Sequence, residues 1–154
     1  MKVFVMTAVL VALAAPAFAG DMNMPQPMNA SDIKWGPVPP VIPAGAQLAV
    51  VSGDPSKEGQ PYTIRLKMPD GYKVPPHFHP ADEAATVISG SFKVGMGDKF
   101  DEAKMGTFPA GSFAYLDPDM HHYAMASGET VVQVHGMSPL QFNYVNPADD
   151  PSKK

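Results

Sequence analysis

After residue 19, the chain contains no run with sustained 3.6-residue periodicity, so it has no amphipathic helix around which to build a core. It carries instead short alternating runs broken by turn residues, and its 13 Gly and 18 Pro supply the breaks. Gln47–Ser52 reads as a strand, followed by a loop over 53–59. Tyr62, Ile64, Leu66 and Met68 then alternate with Thr63, Arg65 and Lys67, the pattern of a half-buried strand. Thr86–Val94 reads as a hairpin across Ser89-Gly90-Ser91, with a further turn over 95–99. Phe113–Leu116, Tyr123–Ala126, Thr130–His135 and Gln141–Val145 continue the series. About ten short strands with Gly/Pro turns predict an all-β sandwich or closed barrel.

One stretch within this pattern carries chemistry. Gly71 is followed by Pro75-Pro76-His77-Phe78-His79-Pro80, then Glu83, then Gly90. Side chains of a strand alternate between faces, so His77 and His79 share one face and Phe78 takes the other. Pro80 cannot donate to a ladder, which favours a turn there. Glu83 then stands near the start of the returning strand. Two imidazoles and a carboxylate can meet at one point, a donor set suited to manganese, iron, nickel, copper or zinc.

The segment resembles the first motif of the cupin family at every spacing, from Gly71 through His77, His79 and Glu83 to Gly90. The second cupin motif resembles the segment from Gly111 to Ala126. There His122 takes the place of the fourth ligand, while Asp117-Pro118-Asp119 replaces the family's Pro-x-Gly and Ala126 its closing asparagine. The resemblance implies a double-stranded β-helix, or jelly roll, holding one divalent metal ion on His77, His79, Glu83 and His122. His121 is adjacent to His122, but strand parity points it the other way. Cupins are often dimers, so the resemblance also allows a homodimer that buries Phe78 and other outward apolar groups.

The termini read differently. Lys2, the apolar run Val3–Ala15 and Ala17-Phe18-Ala19 make a signal peptide over 1–19, cleaved before Gly20. The run is too short to span a membrane comfortably, so the mature protein is expected free of it, in the periplasm or secreted. Without Lys2, 10 basic residues face 15 acidic ones, near −5. No basic stripe is present for nucleic acid. The chain has no cysteine, so packing and metal must supply the stability that disulfides supply in other exported proteins. Residues 20–45 read as a flexible tail and a proline-rich strap, with Met22, Met24 and Met28 incidental and Trp35 plugging one end of the core. The barrel spans 46–146, and 147–154 form a disordered tail.

Two further residues bear on the site. Val132 and Val134 facing inward leave Gln133 and His135 outside; the alternative sets Gln133 and His135 in the metal cavity, supporting its ligands. Three imidazoles and one carboxylate leave positions of an octahedral ion open. Two functions follow: an exported metal-dependent enzyme acting on a small, oxygen-rich molecule, of oxygenase, isomerase or hydrolase type, or a non-enzymic cupin that binds or senses a small ligand or metal.

Overall fold

The computed structural model describes residues 27–154; the leader, its cleavage site and Met22 and Met24 lie outside the described residues. Nine strands follow in order: β1 (Gly36–Pro37), β2 (Gln47–Ser52), β3 (Pro61–Met68), β4 (Lys73–Phe78), β5 (Glu83–Met96), β6 (Gly106–Pro109), β7 (Phe113–Leu116), β8 (His122–Met137) and β9 (Asn143–Tyr144). Among the described residues there is no α-helix. All strand pairs are antiparallel.

The two long strands organise the rest. β5 and β8 pair along nearly their whole lengths, from Glu83↔Gly136 to Met96↔His122. On the free edge of β8, residues 130–137 pair with β3 and residues 122–125 with β4. On the free edge of β5, residues 83–86 pair with β7 and residues 91–94 with β6. One layer therefore runs β1-β2-β3-β8-β5-β7 and the other β9-β4-β8-β5-β6, with β5 and β8 passing through both. This is the jelly roll of the cupins.

The hairpin read across Ser89-Gly90-Ser91 is not formed. Thr86–Val94 lies within one 14-residue strand, and Tyr123–Ala126 and Thr130–His135 within one 16-residue strand. Gly90 bends β5 from one layer into the other, with φ of 77°, beside Gly128 of β8, with φ of 73°. The ladder is irregular from Val87 to Ser91. Thr130, fully buried, supplies the missing partners: its Oγ1 accepts from Ser91 N (3.2 Å) and donates to Ser91 O (3.0 Å). A Cβ at Gly90 would sit 2.3 Å from the Glu129 carbonyl. Gly90→Ala is therefore expected to cost about 2–3 kcal/mol, from left-handed strain plus forced separation of the strands. Urea unfolding checks it; a variant within 0.5 kcal/mol of the parent, about the scatter of neutral surface changes, would show that the bend does not need glycine.

Between the layers, Tyr62, Ile64, Met68, Val74, Val132 and Val134 form the core. Ile64 and Val132 are almost wholly buried, each a gain of about 1.5–3 kcal/mol. The proline strap turns once, where Ile42 N donates to Pro39 O, and is tied down by Tyr72 Oη donating to Pro43 O and Tyr144 Oη to Val41 O. Trp35 does not plug the core. It is half-buried beside β3, where Lys67 Nζ stands 4.7 Å from its ring centroid. The C-terminal residues also differ from the expected frayed tail: they form two 3-10 turns, capped by the Asn146 and Asp150 side chains.

Candidate metal centre

The site forms at one end of the roll, where the loop 79–82 crosses from β4 to β5. A regular strand would set Val74 and His77 on opposite faces. Both are buried, because β4 carries an extra residue between them: Val74 pairs with Ala124 but His77 with His122. The irregularity falls at Pro75-Pro76, where proline cannot donate to the ladder. It swings His77 inward, directly opposite His122.

His77, His79 and His122 then gather, with one ring nitrogen from each within 4.8 Å of the others. Each ring is held by its other nitrogen. His77 Nδ1 faces Pro75 O at 2.7 Å, His79 Nδ1 faces Gln141 O at 2.5 Å, and His122 Nδ1 faces Met120 O at 2.9 Å. A carbonyl only accepts, so each Nδ1 carries the ring proton and each Nε2 keeps a lone pair. This is the outer support that orients metal-binding histidines.

Glu83 meets the set from one side, its Oε2 2.8 Å from His79 Nε2. With the ring proton on Nδ1, these are two acceptors in contact. His79 Nε2 is accordingly the buried side-chain atom without a hydrogen-bond partner among the described residues. Such a pair requires a cation between its members, either a proton or a metal ion. The donor set therefore fits a divalent metal of the type that imidazole and carboxylate share.

The titration of these groups follows from the same contacts. Burial pushes His77 down to about 3, and the His122 and His79 rings add to the effect. His122 is also lowered, by burial, with Glu83 partly offsetting it. For His79, burial opposes protonation, but the Glu83 carboxylate outweighs it and the net shift is upward. Burial likewise works against the Glu83 charge, yet His79 and the other two rings hold its carboxyl below the usual range. His77 and His122 thus stay neutral and able to donate near neutral pH.

The second motif keeps its turn without glycine. Asp119 adopts φ of 61° at the family's glycine place, a conformation aspartate tolerates better than most residues. Its N–H donates to the His79 carbonyl at 2.8 Å, which ties this turn to the first motif. His121 faces outward, stacked on Phe78 (centroids 4.7 Å apart) and 2.6 Å from Asp98. Asp82 is exposed.

Gln133 and His135 do not support the ligands. Val132 and Val134 line the interior, so the alternate positions of β8 face out. There Gln133 accepts from Arg65 Nε at 2.9 Å and contacts His135 at 3.1 Å, and His135 meets Thr63 at 3.0 Å. The groups that do hold the ligands include the main-chain carbonyls of Pro75, Met120 and Gln141, which no side-chain pattern announces. Phe142 also escaped the sequence reading. Its ring stacks on His77 (4.8 Å, 19°) and stands edge-on to His79 (4.8 Å, 88°).

A cavity of about 60 Å³ extends from His77, Glu83 and His122 between the layers. Apart from Ser112 and those three, every residue lining it is apolar. The walls themselves offer almost nothing to bind hydroxyls.

Glu83→Gln keeps the shape but removes the charge that balances the ion. The variant is expected to fold and to hold at least tenfold less metal at limiting supply, about 1.4 kcal/mol, read by elemental analysis. Unchanged occupancy would remove Glu83 from the ligand set.

The fold and the paired motifs define a cupin. More narrowly, the chain belongs to the ChrR cupin-like domain family, whose sequence profile matches residues 24–141. Among curated proteins, no sequence matches the chain. Several solved structures share its fold. The polyketide cyclase RemF from Streptomyces resistomycificus superposes with a TM-score of 0.65 at 16% identity, over 84% of this chain and 92% of that one. An RmlC-like cupin from Shewanella frigidimarina gives 0.56 at 14%, over 74% and 90%. The structure of Rhodobacter sphaeroides SigE with the anti-sigma ChrR gives 0.50 at 22%, over 71% of this chain and 51% of that one.

Proposed function

We propose that this chain is an exported mononuclear metal-binding cupin that works as a metal-dependent enzyme on a small molecule. The observation that carries the reading is that all three histidines turn Nδ1 to a main-chain carbonyl. Their three Nε2 atoms are then left facing one another, with His77 and His122 opening onto a largely apolar cavity. His77, His79, Glu83 and His122 would hold the ion. A bound divalent metal there would act as a Lewis acid toward a chelating substrate or, if redox-active, as a dioxygen site. Four protein ligands would leave a bound ion open to a substrate donor. The remaining residues would do separate work: the carbonyls fix the rings, Phe142 packs over His77 and His79, and the aliphatic walls exclude water. That a cyclase shares the fold is compatible with catalysis but does not select the reaction.

A second reading is favoured by the family match itself. The ChrR-like relationship and the anti-sigma neighbour suit a module that binds metal or ligand without turnover. Elemental analysis of the native protein, followed by oxygen uptake with catechols, flavonols and thiols, separates the two. Metal-dependent uptake with any of these supports the enzyme. Stoichiometric metal with no consumption of oxygen or substrate supports the sensor.

Export rests on Ala17-Phe18-Ala19 after the apolar run. The mature protein is expected to begin at Gly20, which intact mass of the exported fraction reads directly. A mass retaining residues 1–19 would end the periplasmic or secreted assignment.

A further inference from the structure

The cavity defines its occupant more narrowly than the donor set does. Its ionisable lining residues, His77, Glu83 and His122, gather at one end, and Ser112 lies beside Val87, four residues further along β5 from Glu83. The walls between are Leu66, Val87, Phe92, Val132 and similar groups. The charged residues of β3, Arg65 and Lys67, are spent on the outer face, against Gln133 and Trp35. A sugar or polyol drawn into this space would lose its water without finding partners, which is unfavourable for every hydroxyl. An alkyl group gains from the same transfer. Size sets a second limit. About 60 Å³ is well below the apolar cavity of about 150 Å³ that accepts benzene.

We propose that the site takes a small chelating molecule with one oxygen-donor head and a short apolar tail. The head lies at the His77–His122 end and the tail between Leu66, Val87, Phe92 and Val132. This rests on the reading of the site as a metal centre with open positions. Residues far from the ligands then set chain-length specificity: Val132 and Leu66 both line the cavity and neither is in the donor set.

The test uses zinc-loaded protein and straight-chain hydroxamic acids from acetohydroxamic to octanohydroxamic acid, with affinities from calorimetry. Affinity is expected to rise about fourfold per methylene, the value for burying one such group, and to stop rising after about two methylenes, when the cavity is full. A polyhydroxylated hydroxamate of equal length is expected to bind at least tenfold more weakly. Val132→Leu should move the optimum about one carbon shorter and Leu66→Val about one longer, both at unchanged zinc content. The parent series stands alone if either variant fails to fold. Normal acetohydroxamate binding with no dependence on tail length, or preference for the polyhydroxylated probe, would overturn the inference and leave the open metal centre standing. No hydroxamate binding to protein shown by elemental analysis to carry zinc would overturn the open centre, and this inference with it.

Discussion

Between pH 6.5 and 3, the metal-free protein is expected to lose about 4–5 kcal/mol of stability through His77 alone. In the unfolded chain this imidazole gains its proton near pH 6.5. In the folded chain, burial and the two neighbouring rings hold it neutral down to about 3. Its contribution is therefore complete above pH 6.5 and falls as the pH drops, by about 1.4 kcal/mol per unit. His122, also lowered, acts in the same direction. Glu83, lowered as well, adds stability above its unfolded value that is lost as pH falls through its folded one. His79 opposes these: its raised pKa gives stability fully present below pH 6.5 and lost as pH rises through the folded value. For a fold stable by about 5–15 kcal/mol, the His77 contribution alone is about a third of the total or more. Urea midpoints in chelator at pH 7, 5.5 and 4.5 measure it. His77→Gln should fall less steeply than the parent, regaining about 2–3 kcal/mol relative to it by pH 4.5. A variant that falls as steeply as the parent would show that His77 is not the buried neutral group.

The same histidine shows which parts of the site were legible in the sequence. Residue spacing from Gly71 to Gly90 announced the donor types, because a motif of side chains is written directly in the chain. The strand alternation also placed Ile64, Leu66 and Met68 inside. What it could not place was how the faces are exchanged. Pro75-Pro76 breaks the alternation between Val74 and His77, and a proline pair in a strand marks a disturbance without giving its size. Gly90 posed a similar ambiguity. A glycine between β-formers fits a hairpin or a bend, and the partner that decides, Thr130 with the Glu129 carbonyl, lies about forty residues away.

Long-range main-chain contacts were out of reach for a related reason. The Gln141 carbonyl orients His79 from 62 residues downstream, and every residue type carries a carbonyl. For Gln133 and His135 the sequence left two placements open, and packing decides between them. Val132 and Val134 gain more from the interior than those two polar groups, which satisfy each other with Arg65 and Thr63 on the outer face. The apolar cavity follows from the same preference, repeated on β3, β5 and β8. Alternation thus foretold the apolar character of the walls, while the space left between them depends on how the two layers pack.

His122→Ala is expected to abolish the metal-dependent part of stability, and His121→Ala to leave it intact. The two residues are adjacent, so their different roles rest on local geometry rather than composition. His122 is buried opposite His77, with Nδ1 toward Met120 O. His121 lies outside, against Phe78 and Asp98, its side chain 37% exposed and that of Asp98 66%. A pair so exposed contributes at most about 1 kcal/mol, and does so with or without metal. With metal at a hundred to a thousand times its dissociation constant, ligation adds about 3–4 kcal/mol by mass action, or about 10 °C in melting temperature for a domain of this size. The parent should therefore melt about 10 °C higher with Zn(II) or Mn(II) than with chelator. His121→Ala should melt slightly lower in both conditions and keep the gap. His122→Ala should melt at one temperature in both, with metal content reduced in parallel. If the gap survives in His122→Ala and closes in His121→Ala, the second motif is shifted by one residue. The turn at Asp119, which aims β8 at His77, would then have to open in solution.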